Sequence, residues 1–250
     1  MKNFFFIALI LSAFLLNNVH AQDVPEQFIN PPREFSVMPF WFWNDTLKAD
    51  EILRQIKDFD EHGVYGFVIH PRMGLPKGMR FLSPEMLAIM KVAIEEAERR
   101  DMKVILYDEG SYPSGSAEGQ VVEKNPKHAA RGLGRIILEP GESPSLEKDW
   151  NLVTIIEPPK GERFAIVEKP THGHIRGLHW VDEEKEKEEL PPAGDILNPE
   201  AVTSYIELVY DKFYENSGEH FGKTIIAIFT DEPDPLGRGP QRGIVEGNAK

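Results

Sequence analysis

The sequence predicts an α/β protein, the first half of a (β/α)8 TIM-type barrel with a small β-rich insertion after its third strand. Three observations predict it. Apolar runs of strand length recur at residues 35–43, 64–70, 103–107 and 224–229. Stretches with helical periodicity separate the first three runs, and another precedes the fourth. Each run ends in polar or ionisable residues: Trp43-Asn44, His70-Pro71-Arg72, Tyr107-Asp108-Glu109 and Thr230-Asp231-Glu232. A βαβαβ order with short loops demands a parallel sheet with crossover helices. A barrel and an open doubly wound sheet both satisfy it.

Composition sets the outer bounds. The chain has 250 residues, 41% hydrophobic and 28% charged, enough to bury a real core. Its net charge of −13 repels phosphate backbones, so no nucleic-acid partner is expected. It has no cysteine, hence no disulfide and no lipid-modified cysteine. Residues 1–21 read as a secretory signal peptide: Lys2, an apolar run from Phe4 to Leu16, then Val19-His20-Ala21. The run is shorter than the roughly 20 residues a membrane span needs. An exported protein, periplasmic or secreted, without a membrane span after signal removal, is expected.

Residues 22–34, with Pro25, Pro31 and Pro32, read as an extended lead-in. The first strand, 35–43, is apolar enough to be covered on both faces. Pro39 cannot donate a ladder hydrogen bond, which calls for a bulge or a late start at Phe40. A helix over 47–62 carries Ile52, Leu53, Ile56 and Phe59 on one face, and Gly63 caps it. After the second strand, 64–70, the loop 71–82 holds Gly74, Pro76 and Gly78. Ser83-Pro84-Glu85 opens the next helix with a cap, a first-turn proline and an acid. Its buried stripe is Met86, Leu87, Met90, Ile94 and Ala97, and Arg99-Arg100 suit its end. The third strand is 103–107.

The rhythm then breaks. After a loop at 110–119 and a short helical piece near 121–130, residues 133–196 read as a β-rich insertion. Four strand-like stretches, 134–139, 151–157, 163–169 and 174–181, are separated by Pro/Gly turns. The charge run 182–189 reads as a solvated loop. Asn198-Pro199-Glu200 starts another helix, with Val202, Tyr205, Ile206, Val209 and Phe213 as its apolar stripe. Gly222 precedes the fourth strand, 224–229, and from Pro235 the chain is glycine-rich without periodicity. The expected divisions are a signal peptide at 1–21, three barrel units at 22–132, the insertion at 133–196 and a fourth unit at 197–250. A barrel needs eight strands. With four, the chain is expected to be part of a longer barrel, since a fourth strand so apolar would otherwise sit at an open edge.

In parallel α/β folds the carboxyl ends of the strands carry the chemistry. The ends here supply Trp41, Trp43, Asn44, His70, Arg72, Tyr107, Asp108, Glu109, Tyr112, Asp231 and Glu232. Acids, aromatics, an imidazole and a guanidinium are the set a sugar site uses. Aromatic faces pack on C–H surfaces, and carboxylates bond hydroxyls and exchange protons. Glycoside cleavage needs one carboxyl protonated and a second ionised, and crowded acids raise the pKa of one of them. Trp41 and Trp43 alternate along the strand, which is read as one indole in the core and the other as a sugar platform. His70 is read as a hydrogen-bonding residue beside substrate, with general base and metal ligand as alternatives. Arg72 is read as an ion-pair partner of Glu109 or a ligand for an acidic sugar. Phosphate loops and zinc motifs are absent, and Ser114 lacks the strand-to-helix elbow of a hydrolase nucleophile.

Four motifs in order resemble the N-terminal catalytic barrel of glycoside hydrolase family 106, the α-L-rhamnosidase-like enzymes. They are Pro39-Phe40-Trp41-Phe42-Trp43-Asn44, Gly66-Phe67-Val68-Ile69-His70-Pro71-Arg72-Met73-Gly74-Leu75, Tyr107-Asp108-Glu109 with Pro113-Ser114-Gly115, and Phe229-Thr230-Asp231-Glu232-Pro233. The resemblance implies a (β/α)8 barrel, action on plant-type polysaccharides with inversion, and Glu232 as general acid with Asp231 orienting or bonding a hydroxyl. It implies a partner base on a later strand. No cofactor is evident from the residues themselves. The resemblance allows calcium in the sugar site, with Asp108, Glu109 and Asp231 as the acids available. A retaining barrel glycosidase is the nearest alternative, with its carboxyl groups about 5–5.5 Å apart rather than about 6.5–9.5 Å. Asp231, where such enzymes carry Asn before the acid, weighs against it. A non-catalytic carbohydrate-binding protein is the alternative outside the enzymes.

Overall fold

A computed structural model describes residues 24–180 and 190–239. The signal-peptide reading, the charge run 182–189 and most of the glycine-rich end fall outside the described residues. The described chain runs α1 (Val24–Ile29), β1 (Phe40–Trp43), α2 (Ala49–Glu61), β2 (Gly66–Pro71), α3 (Pro84–Arg99), β3 (Lys103–Tyr107), α4 (Gln120–Lys124), β4 (Arg131–Leu138), β5 (Asn151–Ile156), β6 (Arg163–Pro170), α5 (Pro199–Ser217) and β7 (Ile225–Phe229). A parallel four-stranded sheet has the order β1-β2-β3-β7, and an antiparallel three-stranded sheet has the order β4-β6-β5. No described helix is long and apolar enough to cross a membrane.

The lead-in is not extended. It holds α1 and a 3-10 turn at Arg33–Phe35. The first strand starts late, at Phe40, directly after the proline that cannot donate. Helix starts follow their caps. Ser83 Oγ accepts from the Met86 N–H at 3.3 Å, and Asn198 Oδ1 from the Glu200 N–H at 3.0 Å. Gly63, at φ +79°, ends α2 in the left-handed conformation that costs glycine little.

Helices α2, α3 and α5 all pack on one face of the parallel sheet. The shared core joins Trp41, Trp43, Phe67, Ile69, Val104 and Leu106 to Ile56, Met90, Ile94, Val209 and Phe213. Ile206, expected in the α5 stripe, is exposed. Trp41 and Trp43 therefore both lie in the core, 7% and 2% exposed, in edge contact. The expectation of opposite faces is corrected by strand geometry: residues i and i+2 share a face, and successive residues do not. Neither indole lays a face open as a platform.

The opposite face carries Phe40, Phe42, His70, Tyr107 and Phe229 in mutual ring contact. Phe40 and Phe42 are 43% and 42% exposed, so β1 is covered on one face rather than both among the described residues. A sequential strand order puts each crossover helix on the same side, which explains the asymmetry.

Among the described residues the insertion forms three strands, not four. The strand expected at 174–181 does not form over its described residues, 174–180, whose backbone bonds go to several separate loops. His174 pairs with Arg238, Ile175 donates to Pro191, Arg176 donates to Tyr112, and Leu178 accepts from Gly74 and Leu75. Gly177, at φ +76°, breaks the extended path. This segment laces the loops at the carboxyl rim of the parallel sheet.

Candidate functional site at the carboxyl rim

The β3–β7 register sets Tyr107 opposite Phe229, so the residues after β7 pass close to the end of β3. There the Tyr107 hydroxyl donates to Asp231 Oδ2 at 2.5 Å. Burial pushes the Tyr107 phenol well above its ordinary value, and the Asp231 bond adds to the shift, so Tyr107 stays a donor. Its ring stacks on His70 at 3.7 Å between centroids. His70 is 2% exposed, and its Nδ1 meets the Pro71 carbonyl at 2.9 Å. A carbonyl only accepts, so Nδ1 carries the proton and Nε2 is left as an acceptor. Burial lowers the His70 pKa to about 4, which keeps the imidazole neutral at neutral pH.

Asp108 is fully buried. Its Oδ1 accepts from Ser114 Oγ at 2.6 Å, and its Oδ2 from Tyr210 OH at 2.9 Å and Thr230 Oγ1 at 2.7 Å. The Tyr205 hydroxyl donates to its carbonyl at 2.7 Å. Ser114 extends the knot, since its hydroxyl accepts from the Asp231 N–H at 2.8 Å and its N–H donates to the Asp231 carbonyl at 2.9 Å. The loops after β3 and β7 are thereby clamped together.

Glu109 is fully buried too, and it organises the loop that follows it. Oε1 accepts from the N–H groups of Gly110 (2.7 Å) and Glu118 (2.5 Å), and Oε2 from those of Gly115 (3.2 Å), Ser116 (2.7 Å) and Ala117 (2.8 Å). Ser111, Ala117 and Glu118 hold positive φ to curl the loop around the carboxylate. Such residues cost of order 1–3 kcal/mol each, and the concentrated N–H–carboxylate bonds offset that cost. Burial pushes the Glu109 carboxyl up, and the backbone donors oppose that push. All five partners are donors, so a carboxyl proton would have no acceptor, and the cage fits the ionised form.

The substrate-binding expectation for Asp108 and Glu109 is corrected on these grounds: both carboxylates face inward, and their oxygens are occupied. The same geometry bears on calcium. A hard cation needs free oxygens, but N–H and O–H hydrogens point at these two carboxylates. Among the described residues no group of three or more His, Asp or Glu is placed to hold a metal ion. Asp108 and Glu109, two of the three acids named for calcium, offer it no free oxygen.

The accessible members lie further out. Glu232 is exposed, at φ +42°, and takes no hydrogen bond or ion pair among the described residues. It lines a cleft of about 400 Å³ with Tyr112, Asp234 and Arg238, between Pro113, Pro233 and Pro235. Arg72 stacks over Phe42 at 4.4 Å and makes no ion pair with Glu109. Asn44 is exposed at the end of β1. Its carbonyl sits where a side chain at Gly74 would begin, 2.3 Å from an added Cβ, so Gly74 is fixed by close approach.

The structure thus joins Tyr107, His70, Asp108, Ser114 and Asp231 in one network, and puts Tyr112 and Glu232 in one cleft. It sets Trp41 and Trp43 apart, behind the sheet. Ser114, Thr230, Tyr205 and Tyr210 are network members that the sequence did not single out for this role. Arg176 and Arg238 were missed altogether: they lie far apart in sequence, outside the strand-end motifs. A comparison with family models finds no match, and a comparison with curated proteins finds none.

Proposed function

We propose that this chain is an exported glycoside hydrolase of the α-L-rhamnosidase-like kind, with its parallel sheet forming part of a (β/α)8 barrel. One observation carries the proposal. Glu232 stands at the carboxyl end of the last described parallel strand, unpaired among the described residues, in a cleft, in a left-handed conformation that a non-glycine residue holds at a cost. Residues held so are enriched at functional sites. The sequential strand order, with helices on one face and an aromatic face opposite, supports a barrel over a doubly wound sheet, whose strand order reverses.

In this reading Glu232 donates its proton to the glycosidic oxygen as the bond to the anomeric carbon breaks. Water attacks that carbon from the opposite side and gives its proton to a second carboxylate, which the family resemblance puts on a later strand. Asp231, fixed by Tyr107 and Ser114, holds the backbone from which Glu232 projects. Asp108 and Glu109 shape the loop that carries Tyr112.

Cleavage of an aryl α-L-rhamnoside by the protein that includes the later strand, followed by proton NMR, tests this. The β-anomer of L-rhamnose is expected first. The α-anomer first identifies a retaining enzyme, and no release of rhamnose overturns the rhamnosidase reading.

A further inference from the structure

The cleft that Glu232 lines contains a second arrangement that the hydrolytic step does not use. The Tyr112 ring has two guanidiniums against it, Arg176 at 4.5 Å and Arg238 at 5.0 Å from the ring centroid. Arg176 also donates from Nη2 to the Tyr112 hydroxyl at 3.0 Å, and its backbone N–H donates to the Tyr112 carbonyl at 3.0 Å. Arg238 is fixed through its backbone, which exchanges two hydrogen bonds with His174, two residues before Arg176. Neither guanidinium has a carboxylate within ion-pair distance among the described residues. This occurs in a chain with 41 acids against 28 lysines and arginines.

Charge and shape point the same way. Glu232 and Asp234 also line the cleft, so an anion could enter only with cationic groups to offset them. A guanidinium stacked on an aromatic ring has lost most of its freedom and presents a planar fork of N–H donors. That fork matches a carboxylate in bidentate geometry. Neutral sugar hydroxyls would need no such pair.

We propose that Arg238, set on Tyr112 and backed by Arg176, binds the carboxylate of a uronic acid in the cleft that Glu232 lines. The inference rests on the glycosidase reading for the neighbouring sugar, and it makes the substrate an acidic glycan. Arg238 and Tyr112 contact the uronic acid, and Arg176 holds the Tyr112 ring and adds the second charge.

Calorimetric titration of the full chain with digalacturonic acid, its methyl ester and galactose 6-sulfate tests it. The acid is expected to bind at least about tenfold tighter than the ester, the worth of a charge-assisted pair. Arg238→Ala and Arg176→Ala are each expected to weaken binding of the acid about tenfold or more and binding of the ester by clearly less. Arg238→Lys keeps the charge and loses the fork, and is expected to fall between wild type and Arg238→Ala. Equal binding of acid and ester, binding of the sulfate alone, no binding of the acid, or unchanged binding in the Arg238 variants each overturns the proposal. Aryl α-L-rhamnoside cleavage, measured on the same protein, separates the two claims. Cleavage without preference for the acid overturns the uronate site alone. Acid binding lost in the Arg variants, without cleavage, supports the site and overturns the rhamnosidase reading.

Discussion

The Tyr107 hydroxyl donates to Asp231 Oδ2 across 2.5 Å, tying the end of β3 to the residue before Glu232. Tyr107→Phe keeps the ring stack on His70 and removes only this bond. It is expected to lower stability by about 1–2 kcal/mol, since it leaves a partly buried carboxylate one donor short. If Asp231 positions Glu232, kcat falls about tenfold while KM holds. Denaturant titration and steady-state kinetics on one preparation check both.

Glu109 is placed as a structural anion. Glu109→Gln turns one oxygen into an N–H2 group that faces backbone donors. A loss of at least about 3 kcal/mol in unfolding free energy is expected, with greater protease sensitivity in the loop 110–119. Unchanged stability with lost activity would instead make Glu109 a group that meets substrate.

Ser114→Ala is expected to be milder, about 1–2 kcal/mol, because Asp108 keeps Tyr210 and Thr230 while the Asp231 N–H loses its acceptor. The measurement is the same unfolding curve. Activity without an intact clamp would show that the two loops need not be tied.

His70 gives a pH dependence. Its folded pKa of about 4 lies below the ordinary 6.5, so the unfolded chain binds a proton that the fold refuses. Stability from this group is complete above pH 6.5 and is lost as the pH falls towards 4. The loss amounts to roughly 2–3 kcal/mol. His70→Phe, which keeps a ring against Tyr107, is expected to flatten the slope of unfolding free energy in that window. An unchanged slope would mean that His70 accepts a proton in the folded state.

The sequence revealed local structure well where one residue decides it. Ser83 and Asn198 cap their helices as expected, and Pro39 delays the first strand to Phe40. It failed where a side chain's direction depends on partners far along the chain. Asp108 and Glu109 read as site acids because strand-end carboxylates look alike in sequence. Only the curl of residues 110–118 around Glu109, and Tyr210 and Thr230 reaching Asp108, show that they face inward. Residues 174–180 carry strand-like apolarity, yet Ile175 and Leu178 are buried beneath loops, not in a ladder. Arg176 and Arg238 meet only because that segment crosses the rim.

Glu232→Gln, assayed on two α-L-rhamnosides, tests the central claim most directly. A substrate with a poor leaving group needs its oxygen protonated, and a dinitrophenyl leaving group does not. The expected result is a fall of about 10²–10⁴ in kcat on the first and a far smaller fall on the second. Wild-type rates on both would contradict the assignment of Glu232 as the general acid.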